Sequence, residues 1–498
     1  MYNNNTCPIK VPGFWNNGDC ALLCRKAEWY DMLLFFFGNY LAHVATVTTR
    51  PGEPLLLQAL YLSSALFSPL TGLNLGWIAI RSRAVFASTP LRAAARAGAL
   101  CTVVPDVQDD TGVLRPFLNG DGGAADAEDG YAEGMQTTGV DAANLVRSIP
   151  RSRSHMLRDE QHAKRPWTHA QYHGENSLPP GYTLILVPWD AEFDNDTPST
   201  SPWWNKPWRG FQRTKNPPIE LACNSNYVKA AVSVAQIVFG AVTIYRTRGN
   251  QIEKYGYAAF GLSVTPYVWM SLINLVGNIV RPSYPALYIT DSKWLEEAKG
   301  KSASWPGLST IGRLSDSSAD KAHDRLLESV SSQKATLEKR RALLKKYKHV
   351  RGPWAGFVRG FYRSDGRMFS VERHPDDIFD SQLVRMERQS RPLYCILLIV
   401  GPISALAVPL IVTGTLSGFA TGESSMMQRF WIMAWLLLGS LVPFAWVLPR
   451  ASYESLEMAP ILGALSLPVA MAVAAVGGFC VVARMFGEHG VCFVVPDK

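Results

Sequence analysis

Between Tyr227 and Val280 two apolar runs are joined by a short charged turn. The second run, Tyr255 to Val280, contains no Asp, Glu, Lys or Arg. At about 1.5 Å of rise per residue it can cross roughly 30 Å of hydrocarbon with some tilt. The first, Ala230 to Tyr245, is shorter, but Lys229 and Arg246 at its ends can extend their charges to the interface. Segments of this kind leave few options. A helix in a water-soluble core needs a polar face, and a lipid-embedded backbone must bond to itself, so helices in a bilayer are the expected outcome.

The rest of the chain has the same texture. Its mean hydropathy is near zero, but the average hides a segregation of uncharged runs from loops that carry most of the charge. Met32 to Thr49 lies between Asp31 and Arg50, and Pro54 to Ile80 ends on Arg81 and Arg83. Toward the C-terminus come Pro392 to Gly422, Phe430 to Pro449 and Met458 to Ala483. Gly72 and Gly76, and again Gly414 and Gly418, form GxxxG pairs that let helices approach closely. Pro69 and Asn74 weaken the Pro54 to Ile80 run, so it kinks or re-enters if it does not cross. The expected fold is all-α, a polytopic transmembrane bundle of about seven spans, or six without that run, with two large partly disordered loops.

The segments follow from this division. Residues 1–28 are polar and hold Cys7, Cys20 and Cys24; residues 29–83 carry the first two membrane helices. Residues 84–226 open with Ala84 to Val104, where Arg92 and Arg96 stand four apart among alanines, the pattern of a helix lying in the interface. Within that loop Gly120 to Gly134 has a disordered composition, Tyr182 to Val187 reads as a strand, and Trp203, Trp204 and Trp208 suit an interface belt. The hairpin of residues 227–280 follows. Residues 281–391 include a basic amphipathic helix over Asp320 to Val350, residues 392–484 hold three antiparallel helices, and residues 485–498 form a tail. With seven spans, residues 1–28 and both large loops share one side, together with the sequons at Asn4 and Asn195. That puts the N-terminus outside and the C-terminus in the cytoplasm of a plasma membrane or endomembrane protein.

Candidate chemistry is sparse. His43 is the one ionisable group well inside a span, and Asn39 precedes it by one helical turn. Asn274 and Asn278 repeat the spacing in the hairpin's second helix. The four residues are candidates for a polar path or ligand site; the plainer reading is hydrogen bonding between helices. His155, His162, His169 and His173 are too few and too interrupted by Pro166 to make a metal site. No catalytic, cofactor-binding or metal-ligating set emerges, and the chain is expected not to be an enzyme. Cys20 and Cys24 are each placed to pair with Cys7. The net charge of +8 fits an anionic surface, and without a nucleic-acid motif that surface is lipid. Lys334 to Arg351, with eight Lys or Arg and the single acid Glu338, is the segment expected to hold anionic lipid.

Two stretches carry a family likeness: Cys7 to Cys20 running into the first span, and Tyr245 to Phe260 running on through Asn278. They resemble a group of multi-pass integral membrane proteins of filamentous fungi that have no assigned function. The resemblance implies a membrane protein and carries over no functional residue. The expected role is a structural or scaffolding membrane protein. The alternatives are a transporter or channel with a polar path near His43, Asn39, Asn274 and Asn278, and a seven-span receptor-like protein.

Overall fold

The computed structural model describes residues 11–16, 20, 22–105, 171–173, 182–194, 221–248, 250–301, 309–327, 392–447 and 459–494. Strands β1 (Phe14–Trp15) and β2 (Leu22–Arg25) pair antiparallel, and β2 pairs on its other edge with the C-terminal strand Val491–Val494. Cys24 and Cys492 are register partners and are joined by a disulfide across 468 residues of sequence. Cys20 is disulfide-bonded as well. Pairing of Cys24 with Cys7 is thereby corrected: strand register, not nearness in sequence, chooses the partner. Both ends of the described chain meet in one small sheet, so they do not lie on opposite sides of the bundle.

From this sheet the chain enters a helical run made of α1 (Trp29–Phe36), a π-helical turn (Phe37–Leu41) and α2 (Ala42–Val44). Glu28 and Asp31 form a capping box at its start, and Arg25 clamps Asp31 through two bonds of 2.8 and 2.9 Å. The next apolar run is not one continuous helix. Ser68 is extended (φ −134°, ψ 96°) and Pro69 follows it, which splits the run into α3 (Leu55–Phe67) and α4 (Pro69–Ser82), of 13 and 14 residues. Each is about 20 Å long, short of the hydrocarbon thickness. A Cβ on Gly72 would stand 3.2 Å from the Ala65 Cβ, although seven residues of straight helix span about 10 Å, so α4 folds back along α3.

The hydrophilic segments then build a second, larger sheet. The expected interfacial helix over Ala84 to Val104 divides into a 3₁₀ turn (Ala84–Phe86), α5 (Pro90–Ala97) and β3 (Leu100–Pro105). Strand β3 is buried along nearly its whole length, and its Thr102, Val103 and Val104 are β-branched residues that suit a covered strand. Beside it runs β4 (Tyr182–Leu186), the strand legible in the sequence; β5 (Phe193–Asp194) follows it. After the hairpin helices α6 (Tyr227–Arg246), α7 (Asn250–Tyr255) and α8 (Thr265–Val280) come β6 (Tyr288–Asp291), α9 (Lys293–Lys301), β7 (Thr310–Leu314) and α10 (residues 316–327). Strands β3, β6 and β7 are parallel, β4 and β5 antiparallel, in the order β4-β3-β6-β7-β5. Two loops expected to be separate thus contribute to one sheet. The chain closes with α11 (Pro392–Ser417), α12 (Met426–Val447), α13 (Ala459–His489) and the C-terminal strand, β8.

The all-α bundle of about seven spans is therefore corrected to a mixed fold with two sheets. Among the described residues three stretches are long and apolar enough to cross a membrane: Tyr227–Arg246, Leu262–Val280 and Val469–His489. The Tyr255 to Val280 run is shortened because turns at Gly256–Ala258 and Leu262–Val264 precede its helix. Helix α6 shows most plainly what surrounds it. Val228, Val234, Val238 and Val242 are exposed, and Tyr227 (76% exposed) and Tyr245 (69%) mark its two ends as an interface belt would. The segments Gly120 to Gly134, Trp203 to Trp208 and Lys334 to Arg351 lie outside the described residues.

Helix α4 packs along α8 through the first GxxxG pair: Gly76 faces Asn274, and Gly277 faces the Gly76 carbonyl. The second pair does something else. Gly418 has φ +57° and ends α11, and Gly414 faces Phe419 of the same turn. Gly277→Ala puts a Cβ 2.9 Å from the Gly76 backbone oxygen, which cannot rotate away. The expected cost is about 1–3 kcal/mol in thermal unfolding in detergent, whereas Gly300→Ala, with nothing within 4 Å, leaves stability within about 0.5 kcal/mol or slightly raised.

Candidate functional site

The polar residues singled out in the sequence lie where the first helical run meets α6 and α8. His43, Asn39, Asn274 and Asn278 are all buried. His43 Nδ1 lies 2.7 Å from Ser271 Oγ, which is also 3.3 Å from Thr46 Oγ1. Asn278 donates to the Thr46 carbonyl (2.9 Å), and Asn274 accepts from the Thr48 N–H (3.3 Å). One turn further on, Arg281 donates to the Thr49 carbonyl at 2.8 Å. The polar face of α8 thus bonds the end of the first run rung by rung. That end needs such partners, because the last carbonyls of a helix have none within it.

Asn39 does not join this ladder. It sits in the π-helical turn, and its amide donates to the Phe35 carbonyl of its own run at 3.0 Å. Its neighbours in the run belong to the bundle's aromatic core, where Phe35 stacks on Phe486 and Tyr40 meets Tyr267, Trp435 and Phe479. His43 Cε1 lies 3.6 Å from where a Cβ on Gly240 would stand, so the ring fills the gap between the first run and α6. His43 Nε2, Asn39 Oδ1 and Asn278 Oδ1 are buried with no hydrogen-bonding partner among the described residues. No carboxylate contacts the group, and no cluster of three metal-ligating side chains occurs among the described residues. Of the spaced histidines only His173 is described, where its ring lies 5.0 Å from that of Tyr288.

A cavity of about 30 Å³ lies elsewhere, at the tip of the α3–α4 hairpin. It has room for about two waters. Pro69, Pro266, Tyr267, Trp435 and Leu436 make its wall mostly apolar, with Ser263, Thr413 and Ser440 as the hydroxyls. None of His43, Asn39, Asn274 or Asn278 lines it. The backbone at this tip is irregular, and side chains complete it. Tyr267 OH donates to the Leu66 carbonyl (2.5 Å), Trp435 Nε1 to the Phe67 carbonyl (3.1 Å), and Ser68 Oγ to the Gly439 carbonyl (2.6 Å).

Sequence reasoning missed Ser271, Thr46 and Thr48. The signal for Ser271 was present: with Asn274 and Asn278 it forms a polar stripe at steps of three and four along one helix face. For Tyr267 and Trp435 no local signal exists, since their partners are carbonyls made available by a helix break far away in sequence. Comparison of the chain with protein family models, with characterised proteins and with solved structures finds no match. The likeness to fungal membrane proteins draws no support from it.

Removing the Ser271 hydroxyl unpairs His43 Nδ1 and one contact of Thr46. Ser271→Ala is expected to lower stability by about 1–2 kcal/mol, read as a lowered unfolding midpoint in detergent. Thr415→Ala, whose hydroxyl is exposed and bonds only to its own helix, should leave the midpoint unchanged.

Proposed function

We propose that the chain is an integral membrane protein without enzymatic activity, a scaffold that holds its five-stranded sheet domain against the headgroup surface. The observation that carries this reading is how the intramembrane polar groups are used. His43, Asn274 and Asn278 are engaged in bonds between helices, Asn39 in its own run, and none reaches the cavity. A polar path needs such groups to face one continuous wet space. The receptor-like alternative rested on seven spans and has no other support.

The two ends of the bundle differ in a way that favours an orientation. Helix α6 is 20 residues long, about 30 Å. It starts beside the large sheet, where Asn226 donates to the Arg281 carbonyl, and it leads toward the small sheet, where Tyr255 donates to the Met485 carbonyl. The disulfides lie at the small-sheet end, which suits an oxidising compartment. Arg25 is paired there with Asp31 and Arg484 with Glu488, both at 2.8 Å, and the basic turn of Arg246, Arg248 and Lys254 stands at the same end. Basic residues stand at the other end as well, among them Arg83, Arg96, Lys229 and Arg281, so the disulfides and not the charges distinguish the two ends. On this reading the small sheet, with strands from near both ends of the chain, faces outward. Ends on one side require an even number of crossings, so a further segment crosses beside the three apolar stretches. The run from Trp29 to Val44 is one such segment, since it leaves the small sheet and ends beside Arg281.

The two sequons test the orientation, because one begins at Asn4, before the small sheet, and the other directly after Asp194 of β5 in the large one. Expressed in a secretory-competent cell, the protein should carry a glycosidase-sensitive glycan lost in Asn4→Gln and unaffected by Asn195→Gln; a glycan at Asn195 reverses the assignment. For activity, the purified protein in liposomes should give proton and cation fluxes no greater than protein-free vesicles. A flux at least tenfold above that background, abolished by His43→Phe, would replace the scaffold with a transport function.

A further inference from the structure

Where α4 leaves the bundle, its arginines are arranged as a receptor for negative charge. Helix α4 runs beside α8 to its end, so its last turn lies level with Arg281, where the apolar stretch Leu262–Val280 stops. The chain turns there at Arg83, which has φ +48° and is one of two residues other than glycine with a positive φ among the described residues. A left-handed conformation costs a residue with a Cβ on the order of 1 kcal/mol, and glycine would relieve it. That position is nevertheless occupied by an arginine.

Helix α5 then brings Arg92 and Arg96, one turn apart, alongside it. Arg96 Nη1 reaches the Arg83 carbonyl at 3.5 Å, and Arg92 Nη1 reaches Ser88 Oγ at 3.5 Å. Burial, and then the like charges of Arg92 and Arg83, hold the Arg96 pKa below its ordinary value. Neither Arg83 nor Arg96 contacts a carboxylate among the described residues, whereas Arg313, Arg325 and Lys293 elsewhere on the large sheet domain are ion-paired. Beside the cluster Phe86 is 57% exposed. A partly exposed aromatic ring next to gathered guanidinium groups matches an interface where acyl chains and phosphates adjoin. Guanidinium forks suit phosphate and carboxylate oxygens in particular.

We infer that Arg83, Arg92 and Arg96, with Phe86 seated among the acyl chains, form a binding site for the headgroup of an anionic phospholipid. The orientation argued above decides only which leaflet supplies the lipid; the site itself does not depend on it. Its role is to hold the sheet domain down on the bilayer at the point where α4 ends.

The test uses the full-length protein in neutral detergent micelles, with lipid retention read by native mass spectrometry. Phosphatidylserine should be retained and phosphatidylcholine not. Arg83→Gln combined with Arg96→Gln should weaken phosphatidylserine binding about thirtyfold, the effect of two surface charges. Arg83→Lys combined with Arg96→Lys should stay within about threefold of the parent, which also guards against loss of fold in the neutral variant. Phe86→Ser should weaken binding without removing its preference for anionic lipid. Arg484→Gln, at the other end of the bundle, should leave binding unchanged. Binding that survives the double glutamine variant, or that falls equally in Arg484→Gln, overturns the site. Inorganic phosphate that competes at millimolar concentration and is itself retained would mean a free phosphate, not a lipid, and overturns it too. Because micelles have no sides, glycan mapping at Asn4 and Asn195 reads the orientation separately, and either result can fail alone.

Discussion

The interruption at Ser68 and Pro69 is the point on which the bundle's arrangement turns. A backbone break away from water exposes carbonyls that no helix satisfies, and such groups are tolerated only where protein buries and bonds them. Here Tyr267 of α8 and Trp435 of α12 donate to the two carbonyls before the break, and Ser68 donates to Gly439 of α12. These bonds fix the hairpin tip against helices from two distant parts of the chain. The same side chains belong to the aromatic core with Tyr40 and Phe479, so satisfying the break and packing the core are one structural act. The length of α3 and α4, the course of α4 along α8, and the position of the cavity all follow.

Once α4 is folded back beside α8, the close approach of Gly76 and Gly277 leaves no room for side chains between them. Asn274 then faces Gly76 and the first helical run together, and the stripe Ser271, Asn274, Asn278 and Arg281 becomes a ladder holding that run's end. Each bond across helices in this setting is worth on the order of 1 kcal/mol. The ladder contributes modestly to stability and more to register, since sliding the run by one turn would unpair every rung. His43 belongs to this structural set, and its ring closes the space left beside Gly240.

The two sheets make the ends of the bundle unlike each other. At one, β2 and β8 bring the two ends of the described chain together under a disulfide, and Arg25 and Arg484 are ion-paired. At the other, strands from before and after the hairpin helices combine into a single parallel-centred sheet, and Arg83, Arg92 and Arg96 gather beside it. The proposed orientation rests on the difference in covalent chemistry, because a disulfide persists in an oxidising compartment.

The sequence by itself determined what depends on neighbours along the chain. Long uncharged runs state a preference for lipid residue by residue, the alternation of Tyr182 to Val187 shows its strand, and the spacing of Asn274 and Asn278 shows a polar face. It also marked Pro69 as a weak point in its run, because proline's missing N–H acts locally. Tertiary structure alone decided the rest. Leu100 to Val104 reads as the tail of an alanine-rich helix until Ile289 and Leu186 pair on either side of it. The two GxxxG pairs look alike in sequence, and only packing separates a helix contact at Gly76 from a helix stop at Gly418. Cys24 finds Cys492, Tyr267 finds Leu66 and Trp435 finds Phe67 across 468, 201 and 368 residues. Hydrogen bonds and disulfides are short-range in space and indifferent to separation in sequence, so no local pattern could announce these partners.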